Sequence, residues 1–431
     1  MPDIIWQPEK ELNIKNDQIN FDQALLTPSA PLQQIRYLLK QSKIDVANDD
    51  LPNICYSGLF GYIGYDSIRW IEAIDNSNLA ELNIPMATLM RPQILVVFDN
   101  ITQMMCIVSP VYTHVGNSDL LAQQVFEQKE KLVESVIKKL SQNTPHHTSQ
   151  STTIDKQPIS SNIKADDFKQ VIKKAKEYIL SGDIFQVVLS QRFSTPFKKN
   201  PFDLYRSLRR LNPSPFLFFM RFDDWSLVGS SPEILVRLRD NRMTIRPIAG
   251  TRKRGKDAHE DKAIAHELLN NTKERAEHLM LLDLARNDIG KVCENGSVEV
   301  TNSFYIEYYS HVMHIVSNVE GQIKPEHDVL DAFMAGFPHG TVSGAPKIRA
   351  MEIIDELETV KRQTYGGGIG YFGANGDMDM CLALRTAVVK DNTLYVQAGA
   401  GVVADSTPDD EHQECINKAQ AIFSAAENIF A

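Results

Sequence analysis

Gln363-Thr-Tyr-Gly-Gly-Gly-Ile-Gly-Tyr-Phe-Gly373 opens the stretch whose reading decides the fold. It continues through an apolar run ending in Leu384-Arg385-Thr386, then Gln397-Ala-Gly-Ala-Gly-Val-Val-Ala-Asp405, and closes on Glu411-His-Gln-Glu-Cys-Ile-Asn-Lys418. Glycines let a backbone approach a ligand closely and present its N–H groups to an anion. Here two glycine clusters flank an arginine in apolar surroundings, and two carboxylates and a lysine follow at helical spacing. That is equipment for holding a small, multiply anionic molecule beside a metal ion. Gly368-x-Gly370-x-x-Gly373 also matches the dinucleotide fingerprint in form, but that fingerprint must open a helix after a strand. Ala374-Asn-Gly-Asp377 instead turns the chain into the strand-like Met380-Cys-Leu-Ala-Leu-Arg385, so the match is rejected.

Working outward, the carboxylates come in two pairs. Glu274 and Glu277 are three apart on one expected helix, and Glu411 and Glu414 are three apart on another, so each pair shares a helix face. Four carboxylates make the hard, oxygen-only donor set that magnesium prefers. Either pair alone reads first as a solvated helix face, since the chain has 55 acidic residues. Arg385 lies where an unpaired charge is expensive, so it calls for a carboxylate, either from the protein or from a ligand. His314, in Ser310-His-Val-Met-His-Ile-Val-Ser317, is a proton carrier by its ordinary pKa or a structural strand histidine. In Gly340-Thr-Val-Ser-Gly-Ala-Pro-Lys347 a helix is expected from Pro346, with Ser343 as its cap and Thr341 free to bond a substrate.

The rest of the chain supports a mixed α+β fold on antiparallel sheets. Tyr56–Tyr65 alternates small and aromatic residues, which suits a strand packed on another backbone. Ile94–Phe98 and Met105–Val108 read as a hairpin, and 118–140 as a helix. Residues 141–162 lack the apolar content to repay ordering and read as a flexible linker containing His146-His147. They separate an N-terminal region (1–140) from a second region (163–431). The latter opens on a helix capped by Asp166-Asp167, and its last helix is expected from Glu411 to Ile429.

With 431 residues and 43% hydrophobic content the chain can build a substantial core. A net charge of −10 argues against a general nucleic-acid or membrane-surface binder. No apolar run is long enough to span a bilayer and no basic leader opens the sequence, so the expectation is a cytoplasmic protein. The five cysteines have no CxxC spacing and read as reduced core residues.

Five motifs in order carry a resemblance: Pro247-Ile-Ala-Gly-Thr-Arg252, Glu277-His-Leu-Met-Leu-Leu-Asp-Leu-Ala-Arg-Asn-Asp288, Gly340–Lys347, Tyr365-Gly-Gly, and Gln397-Ala-Gly-Ala-Gly401. Together they resemble the chorismate-utilising enzymes, and among them the large subunit (component I) of anthranilate synthase. The resemblance implies a two-lobed sandwich of orthogonal antiparallel sheets with helices outside and the active site between. Carried over residue by residue, Glu274, Glu277, Glu411 and Glu414 match magnesium carboxylates. Gly250, Thr251, Tyr365, Arg385, Lys418 and the amides of Gly399, Ala400 and Gly401 match chorismate contacts. His314 and Thr341 match a catalytic pair, and Glu233 matches an acid/base.

The implied reaction converts chorismate and ammonia to anthranilate and pyruvate, the committed step of tryptophan biosynthesis. The similar 4-amino enzymes usually carry lysine where this chain has Ala249. Those, the isochorismate-type enzymes and a non-catalytic subunit of the same fold are the alternatives. No Gly-x-Cys-x-Gly elbow is present, so the resemblance places ammonia production on a separate glutamine amidotransferase subunit. Asn212-Pro213-Ser214-Pro215 resembles half of a tryptophan feedback pocket. The other half, a Leu-Leu-Glu-Ser segment, is not found, and the expectation is weak inhibition by tryptophan.

Overall fold

The computed structural model describes residues 18–21, 30–44, 55–112, 119–142, 157–309 and 312–429. Two antiparallel sheets carry the fold. The larger has ten strands. In spatial order it runs β1 (Gln18–Phe21), β3 (Ala87–Met90), β2 (Gly58–Ile63), β16 (Gly368–Gly373), β17 (Met378–Leu382) and β10 (Ile234–Arg239). It continues with β11 (Arg242–Ile245), β14 (Val312–Gln322) and β12 (Ile248–Lys253), and β13 (Glu299–Tyr308) pairs with β14. The seven-stranded sheet runs β15 (Gly344–Ala345), β7 (Gln186–Pro196), β19 (Thr393–Val402), β18 (Thr386–Lys390), β9 (Trp225–Ser231) and β8 (Phe216–Arg221), with β6 (Ser160–Ser161) beside β7. A separate hairpin joins β4 (Leu95–Asp99) to β5 (Met104–Val108).

Nine helices accompany the strands among the described residues: α1 (Ala30–Gln41), α2 (Asp119–Leu140), α3 (Ala165–Leu180), α4 (Pro201–Leu211), α5 (Ala258–Asn270), α6 (Thr272–Gly290), α7 (Val329–Gly336), α8 (Lys347–Leu357) and α9 (Pro408–Glu427). The sheets meet through Tyr62, Ile369 and Cys381 of the larger and Trp225, Leu227 and Val388 of the smaller. Tyr62 stands edge-on to Trp225 with ring centroids 5.5 Å apart, a favourable aromatic geometry. A second, larger apolar cluster gathers Phe333, Phe337, Leu189, Val396 and Phe423 under the helices.

The glycine pattern of β2 has a steric cause. Gly61 lies opposite Gly370 of β16, and a Cβ at Gly61 would collide with the Thr88 carbonyl. This pairing places the N-terminal strands β1 to β3 in one sheet with β16 and β17, so residues before 140 and after 163 share a framework. The linker read at 141–162 lies mostly outside the described residues, His146 and His147 included. Its final residues belong to the fold, because Ser160 and Ser161 pair with Ser194 and Phe193.

Three local expectations are corrected. Asp166 and Asp167 do not cap α3. Lys164 occupies the N-cap without a side-chain bond, and the two acids sit in the first turn, where the helix dipole favours them. Ser343 does not cap α8 either; its buried Oγ donates to the His339 carbonyl at 2.9 Å. The last helix starts at Pro408, three residues before Glu411, because Thr407 accepts from the Asp410 amide and a proline follows it at the first helical position. All five cysteines are free. Among the described residues no helix is long and apolar enough to cross a membrane.

Candidate active site

A cavity of about 440 Å³ draws its walls from both sheets and from α6 and α9. Its lining includes Glu274, Glu277, Glu411, Glu414, Glu233, Gly250, Thr251, His314, Thr341, Tyr365, Arg385, Gly399, Gly401 and Lys418. Ala400 is buried and outside the lining. Asn212, Pro213, Ser214 and Pro215 also lie elsewhere, on the turn between α4 and β8, where the Asn212 carbonyl accepts from Ser230 Oγ at 2.5 Å.

The acidic wall is built by two helix N-termini. Asn271 caps α6 by accepting the Glu274 amide at 3.1 Å, which sets Glu274 and Glu277 one turn apart on the cavity side. Gly250 makes room for them. It sits at an irregularity in the β12–β14 pairing with φ +64, and a Cβ there would stand 3.1 Å from Glu274 Oε2. A bulge in the left-handed region favours glycine. Three of the four carboxylates have a protein partner at a short distance: Glu274 accepts from Arg252 at 2.9 Å, Glu277 from Gln186 at 3.3 Å, and Glu414 pairs with Lys418 at 2.6 Å. Burial, with Glu274 adding to it, pushes the Glu277 carboxyl above its ordinary value. Burial also raises Glu411, with Glu414 adding to it. Among the described residues no three such side chains are gathered as a ready ligand set. The donor chemistry nonetheless fits a hard divalent cation: four carboxylates face one space and the repulsion between them is only partly offset.

Arg385 and Lys418 add positive charge to the same lining. Arg385 lies between β17 and β18 with φ +47, a conformation that a side chain larger than glycine rarely adopts and that is often kept at functional sites. Among the described residues no carboxylate lies within salt-bridge distance of it. Burial lowers its pKa, and only the field of Glu233 and Tyr309 opposes this. Of the two partners the sequence allowed, a protein carboxylate is not found among the described residues. Lys418 Nζ donates to the Gly399 carbonyl at 2.9 Å.

β18 pairs only with Thr393–Val396 of β19, so Gln397–Val402 have β7 on one edge and an open edge on the other. A strand offers alternate amides to each edge, so Gly399, Ala400 and Gly401 cannot all aim at one anion. Gly399 is required for a second reason: a Cβ there would stand 2.6 Å from the Tyr365 hydroxyl.

The proton-handling groups belong to the same lining. Glu233, on the turn between β9 and β10, is 5% exposed. Burial pushes its carboxyl up to about 8, against the opposing effects of Thr341, Lys418 and Arg385. Its Oε1 lies 3.2 Å from Thr341 Oγ1, which in turn lies 2.8 Å from His339 Nδ1. His314 Nδ1 lies 3.1 Å from the Gly250 carbonyl and 3.1 Å from Thr251 Oγ1. A bond to a carbonyl requires the proton on Nδ1, which leaves Nε2 with a lone pair. Burial lowers the pKa of His314, so the ring is neutral near pH 7.

Residues 2–424 match the family described as chorismate binding enzyme. The chain belongs to the chorismate-binding enzymes. It is 50% identical over 429 residues to anthranilate synthase component 1 of Cereibacter sphaeroides, covering 99% of this chain and 85% of that protein. Against anthranilate synthase component 1 of Aquifex aeolicus it is 46% identical over 401 residues, covering 92% and 79%. The crystal structure of anthranilate synthase component I from Streptococcus pneumoniae TIGR4 superposes with a TM-score of 0.84 at 37% identity, covering 94% of this chain and 89% of that one.

This chorismate-binding enzyme also uses residues that spacing did not single out. Gln186, Lys273 and Ser406 line the cavity, and His339 supports it from behind Thr341. Arg252, on β12, holds Glu274 and Glu267. The adjacency of His339 to Gly340-Thr341 was the one available signal for it. Nothing in the sequence marked Gln186.

Proposed function

We propose that this chorismate-binding enzyme is an anthranilate synthase component 1, taking chorismate and ammonia to anthranilate, pyruvate and water. The observation that carries the reading is the joining of both charges in one cavity. Arg385, with no carboxylate at ion-pair distance among the described residues, lines the same space of about 440 Å³ as four glutamates, a match for a small dianion held between a cationic clamp and a cation. Similarity at 50% identity to a component 1 enzyme supports this member of the family. So does the inert Ala249 in the cavity lining, where the 4-amino enzymes usually carry a lysine.

Glu274, Glu277, Glu411 and Glu414 would hold magnesium, which when bound draws electron density from the ring carboxylate of chorismate. Arg385, Lys418 and the open edge of β19 hold the enolpyruvyl carboxylate by charge-assisted hydrogen bonds. Glu233 enters protonated and gives its proton to the C4 hydroxyl, which leaves as water while ammonia bonds to C2 and the ring double bonds shift. The Nε2 lone pair of His314 then takes the C2 proton. The C3–oxygen bond breaks, the enolate that departs takes up a proton equivalent to the one the added ammonia nitrogen releases and becomes pyruvate, and the ring becomes aromatic.

In this reading ammonia comes from a glutamine amidotransferase subunit bound to the chain, and the complex works in the cytoplasm. Incubation with chorismate, magnesium and an ammonium salt tests the core of it. Fluorescent anthranilate is expected; 4-amino-4-deoxychorismate or isochorismate as product would overturn the assignment, and no product would favour a non-catalytic subunit.

A further inference from the structure

We propose that His339 is a positioning residue that turns the Thr341 hydroxyl toward itself, so that Glu233 faces an acceptor and is held as the proton donor of the reaction. The inference rests on the proposed role of Glu233 but concerns a residue that role does not need to name. His339 is 4% exposed and stands at the N-cap of the short turn Gly340–Val342. Its Nδ1 accepts the Thr341 amide at 3.4 Å and lies 2.8 Å from Thr341 Oγ1. A ring nitrogen that accepts an amide carries no proton, so the hydroxyl must donate to it. A hydroxyl has one proton to give. Thr341 Oγ1 lies 3.2 Å from Glu233 Oε1, where a free hydroxyl would donate to the carboxylate and favour its ionised form; with its proton directed to His339 it offers Glu233 only a lone pair. A carboxylate gains nothing from a lone pair, whereas a protonated carboxyl donates to it.

The other groups facing this corner do not set the same direction. Arg385, beside β18, and Lys418, on α9, favour ionised Glu233 by charge alone. Lys347 of α8 and Asp288 of α6 act on His339 in opposite senses, and burial keeps the ring neutral, lowering its pKa to about 4. His339 Nδ1 lies 3.5 Å from Glu233 Oε1, but a neutral ring with its lone pair on Nδ1 forms no ion pair there.

The test reads the Glu233 proton directly, by infrared titration of the full chain without substrate, with the protonated carboxyl band assigned by its loss in Glu233→Gln. The wild-type midpoint is expected above the value of about 8 that goes with Thr341 Oγ1 donating to the carboxylate. His339→Ala and His339→Leu free the Thr341 hydroxyl to donate to the carboxylate, so the midpoint should fall by about one pH unit, a tenfold weaker hold on the proton. His339→Asn, whose side-chain oxygen can replace Nδ1 as acceptor and cap, should keep the midpoint. Unchanged midpoints in the Ala and Leu variants, or an equal fall in the Asn variant, would overturn the proposal. Should the Ala variant not fold, judged by circular dichroism, the Leu and Asn pair decides. The readout stands even if the chain makes no anthranilate, so failure of the relay and failure of the assigned reaction remain distinct.

Discussion

Five glutamates border one cavity, and their surroundings divide them into two kinds. Glu233 is buried, and among the described residues no arginine or lysine lies within ion-pair distance of it. Desolvation outweighs the distant pull of Lys418 and Arg385, and the group keeps its proton to about pH 8. Glu274 and Glu414 stand in contact with Arg252 and Lys418, and Glu277 and Glu411 are raised by burial with neighbouring carboxylates adding to it. The same side chain therefore becomes an acid where it sits by itself in a dry corner, and part of a shared oxygen donor set where four of them line one space. Depth and company assign the role, as they do for carboxylate pairs in many enzymes.

The contrast is most easily broken on the crowded side. Glu414→Gln should lower kcat by on the order of 100-fold or more while moving the melting temperature by only a few degrees, since its side chain is 48% exposed. An anthranilate assay beside a thermal melt would read both, and retention of activity within tenfold would remove the acidic wall from the mechanism. In the same cavity, Arg385→Ala should cost roughly 100-fold in kcat/KM, the worth of charged hydrogen bonds of about 1.5–3 kcal/mol. Saturation kinetics in chorismate should show much of that loss in KM.

Glu233 gives the sharpest test of the solitary kind, because its proton is linked to stability. Its folded pKa of about 8 exceeds the ordinary 4.5. Below the ordinary value both folded and unfolded states are protonated and nothing is lost. As pH rises through this window the unfolded chain ionises first, so folding stability falls by up to about 1.4 kcal/mol per pH unit and levels off above the folded pKa. Glu233→Gln should therefore melt at a higher temperature than the wild type at pH 8, match it near pH 4, and lose most activity throughout. A pH series of calorimetric melts checks the sign; equal melting curves at pH 8 would mean that Glu233 is ionised in the native state. The smallest effect is expected at Asn271→Ala, where loss of the α6 cap should cost about 1 kcal/mol in chemical denaturation and loosen Glu274.

The spacing of Glu274, Glu277, Glu411 and Glu414 was legible because helical periodicity is local, and so was the oddity of Arg385 in an apolar run. The two glycine clusters announced close backbone approach, and Gly61, Gly370 and Gly399 show what is approached. What escaped the sequence depends on partners far apart in the chain. His339 matters through Thr341 and Glu233, the latter 108 residues from Thr341, and Gln186 matters through Glu277, 91 residues away. Local rules misled at Asp166 and Ser343 for a related reason. A capping residue type shows that a cap is available, while the path of the backbone decides which residue stands at the N-cap.

Helix α9 delivers Glu411, Glu414 and Lys418 to the cavity and also inserts Cys415, Ala419, Ile422 and Phe423 into the interior. It is the final helix of the described chain. On a translating ribosome both sheets will have most of their strands while half of the acidic wall and one of its two cationic counterparts are still unmade. A chain stalled short of residue 408 would lack Glu411, Glu414 and Lys418 from the cavity and Cys415, Ala419, Ile422 and Phe423 from the interior at once, so the end of synthesis completes the site and the core together.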